Sequence, residues 1–150
     1  MTIGKNEIIS TRAFDAPQHL VYQAWTTPDL LARWWGPHGF TNTFHEIDIT
    51  PGGAWKFTMH GPDGRDYPNE SVFVEIVPME RVVLEHLSEP QFRVTATFEE
   101  EKGRTKVVFR QTFKKEKQFE QIKQMCINGN EENFDRFGQL LEEMKTGTAG

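Results

Sequence analysis

The sequence predicts an α+β fold: a curved antiparallel sheet of about seven strands around one long C-terminal helix, with two short helices after the first strand. Three observations predict it. Between Phe40 and Phe113 apolar and polar residues alternate, as in Trp55, Phe57 and Met59 against Lys56, Thr58 and His60. A period of two with one wet face marks strands covered on one side only. From Lys117 to Lys145 the period lengthens, and Phe119, Ile122, Cys126, Phe134, Phe137, Leu141 and Met144 share one side of a helix. Two helix-start signals, at Asp15–Gln18 and at Thr27-Pro28, follow the first strand.

Taken in order, Glu7–Phe14 reads as the first strand. Asp15 is placed to cap the first short helix, with Gln18 three residues on and Pro17 tolerated in the opening turn. Leu20, Val21, Ala24 and Trp25 form its apolar face. Thr27 caps the second helix and Pro28 occupies its first position. Leu30, Leu31, Trp34 and Trp35 recur along it until Gly36-Pro37 stops it. Six strands follow. Phe92, Val94, Ala96 and Phe98 alternate with Arg93, Thr95, Thr97 and Glu99, and Val107, Phe109 and Gln111 with Val108, Arg110 and Thr112. Turn signals separate them at Pro51-Gly52-Gly53, Pro62-Asp63-Gly64, Pro78-Met79-Glu80, Ser88-Glu89-Pro90 and Lys102-Gly103. Val72–Val77 is apolar on both faces, which leaves its direction open. The last helix spans roughly 40 Å at its expected length and carries Gly129-Asn130 at its centre. The tail, residues 146–150, is small and polar and is expected to fray.

Composition narrows the function. The 150 residues carry a net charge of −5 with 37% hydrophobic and 26% charged residues, a globular profile that suits one domain over residues 1–150. Without a basic block, nucleic acid is not an expected partner. No apolar run approaches the ~20 residues that span a bilayer, and the N-terminus lacks a signal-peptide core, so a soluble, cytoplasmic protein is expected. The single cysteine, Cys126, excludes an internal disulfide and is read as core packing. The five histidines, His19, His38, His45, His60 and His86, show no metal-ligand spacing such as H-E-x-x-H, so neither metal nor cofactor is expected. No G-x-S-x-G elbow or phosphate-binding glycine loop is present. His60 falls on the polar side of its strand and is expected to face solvent.

An amphipathic helix laid across the concave face of a curved sheet encloses space wherever side chains do not fill it. Trp34-Trp35-Gly36-Pro37 with Gly39-Phe40, then Pro51–Met59 running into Gly61-Pro62-Asp63-Gly64, then Glu75-Ile76-Val77-Pro78 with Glu80-Arg81, and finally Gly129-Asn130-Glu131-Glu132 carry a family resemblance. Over residues 5 to 145 the chain resembles the START-like (SRPBCC, helix-grip) superfamily. More narrowly it resembles the family related to the C-terminal domain of the activator of the 90-kDa heat-shock protein ATPase.

The resemblance implies a helix-grip fold with an internal hydrophobic cavity. The leading expectation is binding of a small apolar or aromatic molecule without catalysis. The alternatives are a cyclase or dehydratase working in the same cavity, and a co-chaperone-like, stress-response role in contact with a chaperone or another protein. Full activators carry a further N-terminal domain, whereas this sequence starts at the first strand, which weighs against the co-chaperone reading. Either a monomer or a homodimer fits.

The expected ligand-binding residues are Trp34, Trp35, Trp55, Phe57, Met59, Phe98, Met125, Asn130, Phe134 and Phe137. Asn130 departs from the family, which usually places an aromatic after the helix glycine; an amide there implies a wetter or larger cavity. Candidates for inward acid–base groups are Glu46, Asp48, Tyr67 and His86, whereas alternation turns Arg93 and Arg110 outward.

Overall fold

The computed structural model describes residues 1–147. In chain order the elements are β1 (Thr2–Ile3), β2 (Glu7–Phe14), α1 (Gln18–Thr26), α2 (Pro28–Trp34), β3 (Thr41–Ile47), β4 (Ala54–His60), β5 (Asp66–Val77), β6 (Arg81–His86), β7 (Phe92–Glu101), β8 (Arg104–Phe113) and α3 (Glu116–Thr146). One antiparallel sheet has the order β1-β2-β8-β7-β6-β5-β4-β3. β2 therefore lies beside the last strand, Ile8 opposite Gln111 and Ser10 opposite Phe109. The α+β helix-grip arrangement holds. The sheet has eight strands rather than seven, because β1 pairs with Ile8 and Ile9 and is too short to show a period.

Two local expectations are corrected. Asp15 does not cap α1. The Gln18 N–H donates instead to Glu100 Oε1 at 2.6 Å, at the end of β7, while the Asp15 backbone carbonyl accepts from Lys145 Nζ at 2.7 Å. Thr27 precedes Pro28 as foreseen but makes no side-chain cap bond, and Trp35 lies just beyond α2 rather than within it. At the other end, α3 continues through Thr146 and closes on Gly147 at φ 79°. Positions 148–150 of the expected frayed tail lie outside the described residues.

α3 packs along β2 and against α1 and α2. The main core gathers Phe14, Trp25, Trp34, Trp55, Phe57, Phe73, Phe98, Phe109, Phe134 and Phe137. Each such ring, fully buried, contributes about 1.5–3 kcal/mol. A smaller cluster joins Ile8, Phe113 and Phe119, with Phe92, Ile122, Cys126 and Ile127 packed against it. Between Phe119 and Phe134, about four helical turns, no α3 residue is fully buried. Among the described residues, no helix is long and apolar enough to cross a membrane.

Candidate functional site: the inner sheet face under the middle of the long helix

Strand alternation turns Trp55, Phe57 and Met59 of β4, Tyr67, Asn69 and Ser71 of β5, and His86 of β6 toward the helical side. Register aligns one row across the sheet: Trp55 with Ser71, Ser71 with His86, His86 with Phe92, and Phe92 with Phe113. In this row His86 stacks on Phe92, with ring centroids 4.4 Å apart and planes 15° from parallel. Its Nε2 lies 2.6 Å from Asn69 Oδ1 and its Nδ1 lies 2.9 Å from the Pro90 carbonyl. Asn69 is oriented by its own Nδ2, which donates to the Tyr67 carbonyl at 2.7 Å. Burial pushes the His86 pKa down, against hydrogen bonds to the Pro90 and Ser88 backbone. A neutral imidazole donates from one nitrogen only, so His86 satisfies both acceptors only when protonated.

The roof is the middle of α3. Ile122, Cys126, Ile127, Gly129 and Asn130 are half-buried there. Asn130 Nδ2 donates to Gln111 Oε1 at 3.0 Å, which ties the helix to β8 by one amide pair. The Ser10 hydroxyl and the Trp55 indole N–H are buried without a hydrogen-bond partner; an unpaired buried donor costs about 1–3 kcal/mol. Burial raises the Cys126 thiol to about 11. It stays protonated near neutrality and packs as an apolar group against the Ile8, Phe113 and Phe119 cluster.

The loop between α2 and β3 is fastened to α3 just beyond Asn130. The Gly36 N–H donates to Asn133 Oδ1 at 3.0 Å, and Asn133 Nδ2 donates to the Trp34 carbonyl at 2.8 Å. Arg136 Nη1 reaches the carbonyls of Gly36 and Pro37 at 2.9 and 3.0 Å, and Nη2 reaches that of Arg33 at 2.8 Å. Gly36 has φ 103°, and a Cβ there would lie 2.7 Å from Met59 Cε. Position 36 therefore tolerates only glycine without displacing Met59.

The sequence-derived site residues separate into three groups. Trp34, Trp55, Phe57, Phe98, Phe134 and Phe137 are buried in the main core. Their rings pack on one another: Trp34 on Phe137 at 4.6 Å, Trp55 on Phe57 at 4.3 Å, Phe134 on Phe14 at 5.6 Å. The Trp34 indole N–H is used by the Ala24 carbonyl at 2.9 Å. Trp35, Met59 and Asn130 are half-buried, and Trp35 and Met59 pack against that core. Met125 is 67% exposed on the solvent face of α3 and does not turn toward the sheet.

Of the acid–base candidates, His86 faces inward. Tyr67 lies on the inner face but is exposed, 5.9 Å from Phe40. Glu46 and Asp48 are exposed, with Glu46 near Lys56 and Asp48 accepting from Thr50. Arg93 and Arg110 point outward as alternation implies, pairing with Glu85 at 2.6 Å and Glu7 at 3.2 Å. Those four charges line an open depression of about 730 Å³, whose wall also includes His86, Phe92 and Phe113 at the end of the inner row.

Asn69 and Ser71 were not found by sequence reasoning. Their strand is apolar on both faces farther along, and a register shift between Phe73 and Glu75 breaks the alternation that would have located them. Among the described residues, no group of three or more His, Cys, Asp or Glu is placed to hold a metal ion.

Residues 15–142 match the family described as Activator of Hsp90 ATPase homolog 1-like protein. The chain belongs to this family. No curated protein matches it. Among solved structures, a Nitrosomonas europaea protein is similar at 19% identity and a TM-score of 0.85, over 96% of this chain and 99% of that one. An Arthrobacter aurescens protein matches at 25% identity and 0.85, over 93% and 87%. A Chromobacterium violaceum protein matches at 25% and 0.83, over 91% and 98%. The Activator of Hsp90 ATPase homolog 1-like fold thus extends along nearly the whole chain.

Proposed function

We propose that this family member binds a small, largely apolar molecule between the middle of α3 and the inner face of β4–β7, without transforming it. The stretch of α3 between Phe119 and Phe134, which buries no side chain fully, carries the reading. A helix that packs hard at both ends and loosely in between is the natural roof of a ligand cleft. Ile122, Cys126, Ile127 and Phe92 offer apolar contact, and Asn69, His86, Asn130 and Gln111 offer a few polar groups to orient the guest. His86 is partnered by an amide rather than a carboxylate, which favours binding over a cyclase or dehydratase. A chaperone-directed role, which the family description suggests, would use the outer depression between Glu85, Arg93, Arg110 and Glu7 instead.

The test is titration with an environment-sensitive apolar fluorophore and a panel of aromatic molecules, alongside native mass spectrometry of the purified chain. Saturable binding is expected, and Asn130→Trp, which fills the roof, weakens it about tenfold, or 1.4 kcal/mol, with the circular-dichroism spectrum unchanged. Absence of saturable binding across the panel would sink the proposal.

A further inference from the structure

The outer face of the sheet carries a second constellation, separate from the His86 row. His60 in β4 lies opposite Thr41 of β3 and Asp66 of β5, and Thr43 stands two residues along β3. His60 Nδ1 is 2.7 Å from Asp66 Oδ1, and His60 Nε2 is 2.7 Å from Thr43 Oγ1. The carboxylate can only accept, so Nδ1 carries the proton. In the neutral ring Nε2 is then the acceptor, and the Thr43 hydroxyl donates to it. Orienting carboxylate, base and nucleophile stand in the order and hydrogen-bond reach that define an acyl-transfer triad, which is recognised by geometry and roles rather than by chain order.

Two further features fit that chemistry. The three side chains sit on three adjacent strands of one sheet, so their spacing is fixed by ladder hydrogen bonds rather than by a loop. β3 is the last strand on its side of the sheet. Backbone N–H groups alternate in direction along a strand, so either Thr43 or its neighbour Phe44 directs an N–H away from β4. An N–H so directed is the kind of donor a developing oxyanion needs. The neighbouring pair, His45 Nε2 at 2.8 Å from Thr58 Oγ1, has no carboxylate bonded to its ring among the described residues and serves as an internal control.

We propose that Thr43 is an acyl-accepting nucleophile, with His60 as its base and Asp66 as a positioning residue, acting on small activated esters. Thr43 Oγ forms a bond to the acyl carbon while its proton passes to His60 Nε2. The bond from that carbon to the leaving oxygen breaks, and His60 returns the proton to the departing oxygen. Water, deprotonated by His60, then attacks the acyl-threonine, releasing the carboxylic acid and restoring the hydroxyl. The open surface admits small acyl groups and supplies no pocket for a large one.

The experiment treats the full chain with p-nitrophenyl acetate and maps acetylation by peptide mass spectrometry. One acetyl group is expected on Thr43. It is absent in Thr43→Val and falls at least tenfold in rate in His60→Gln and Asp66→Asn. Asp66→Glu restores the rate, which a merely structural role for Asp66 does not require, and His45→Gln leaves it unchanged. Circular dichroism confirms that each surface variant is folded. Acetyl groups confined to lysines or imidazoles, or Thr43 acetylation that persists in His60→Gln, would overturn the assignment.

Discussion

Replacing Phe137 by alanine and Ile127 by alanine, one change at a time, measures how differently the two halves of α3 are held. Phe137 is 1% exposed. It meets Trp34 at 4.6 Å and Phe14 at 5.1 Å, both edge-to-face. Truncating a ring in such a site costs about 3–5 kcal/mol, transfer and cavity together, with each ring contact accounting for roughly 0.5–1.5 kcal/mol. Ile127 is half-buried beside Phe113 and Phe119. Full burial of isoleucine would make the loss about 2–5 kcal/mol, and partial exposure cuts that to about 1–2. In urea, with a slope of ~1.5 kcal/mol per molar, the unfolding midpoint falls by about 2–3 M for Phe137→Ala and about 1 M for Ile127→Ala. Far-UV circular dichroism reads both. If Phe137→Ala is too unstable to purify, Phe137→Leu is compared with the equally mild Ile127→Val, and the larger shift is again expected at position 137. Equal midpoint shifts for the two positions would refute the idea that the helix is packed at its ends and loose at its centre.

Three more outcomes follow from the geometry. Burial holds His86 below its ordinary value of 6.5, so the unfolded chain takes up a proton first; its stabilising contribution is complete above that value and is lost as pH falls through it toward the lower folded value. Urea midpoints measured against pH will show this, and His86→Gln will flatten that part of the curve. Glu100→Ala removes the carboxylate that accepts the Gln18 N–H; a loss of about 0.5–1 kcal/mol is expected for an exposed cap, and Asp15→Ala should cost less at the start of α1. Arg136→Ala strips three carbonyls of their close donor; a cost of about 1–3 kcal/mol should come with faster proteolysis between α2 and β3.

How much of this was legible from sequence depends on the distance over which each feature is decided. Period-two alternation located β4, β7 and β8, and the longer period located α3, because each is written into neighbouring residues. The α1 cap was misassigned to Asp15 because the true acceptor, Glu100, is 82 positions away and no local pattern announces it. The inward direction of Gln111 followed from its phase with Val107 and Phe109. That of Asn69 and Ser71 did not, because the register shift in β5 resets the phase. Trp55, Phe57 and Phe98 lie buried on the face that alternation gives them. Whether two inward rings enclose a volume or touch each other is set by strand curvature and helix placement. The contacts of Trp55 with Phe57 and Phe73 became visible only in three dimensions. The Thr43, His60 and Asp66 group was unreadable for the same reason, since each member comes from a different strand.

The guanidinium of Arg136 has a consequence for how the chain matures on the ribosome. The carbonyls that close α2 belong to residues made early, whereas the donor that satisfies them arrives roughly a hundred positions later. β2 likewise waits for β8 before gaining its main partner. The emerging N-terminal third therefore lacks β2's main sheet partner and the donors of the α2–β3 loop until synthesis is nearly finished. Docking of the last segment completes both ends of the molecule together, so loss of a few C-terminal turns by truncation should destroy the whole product rather than shorten it.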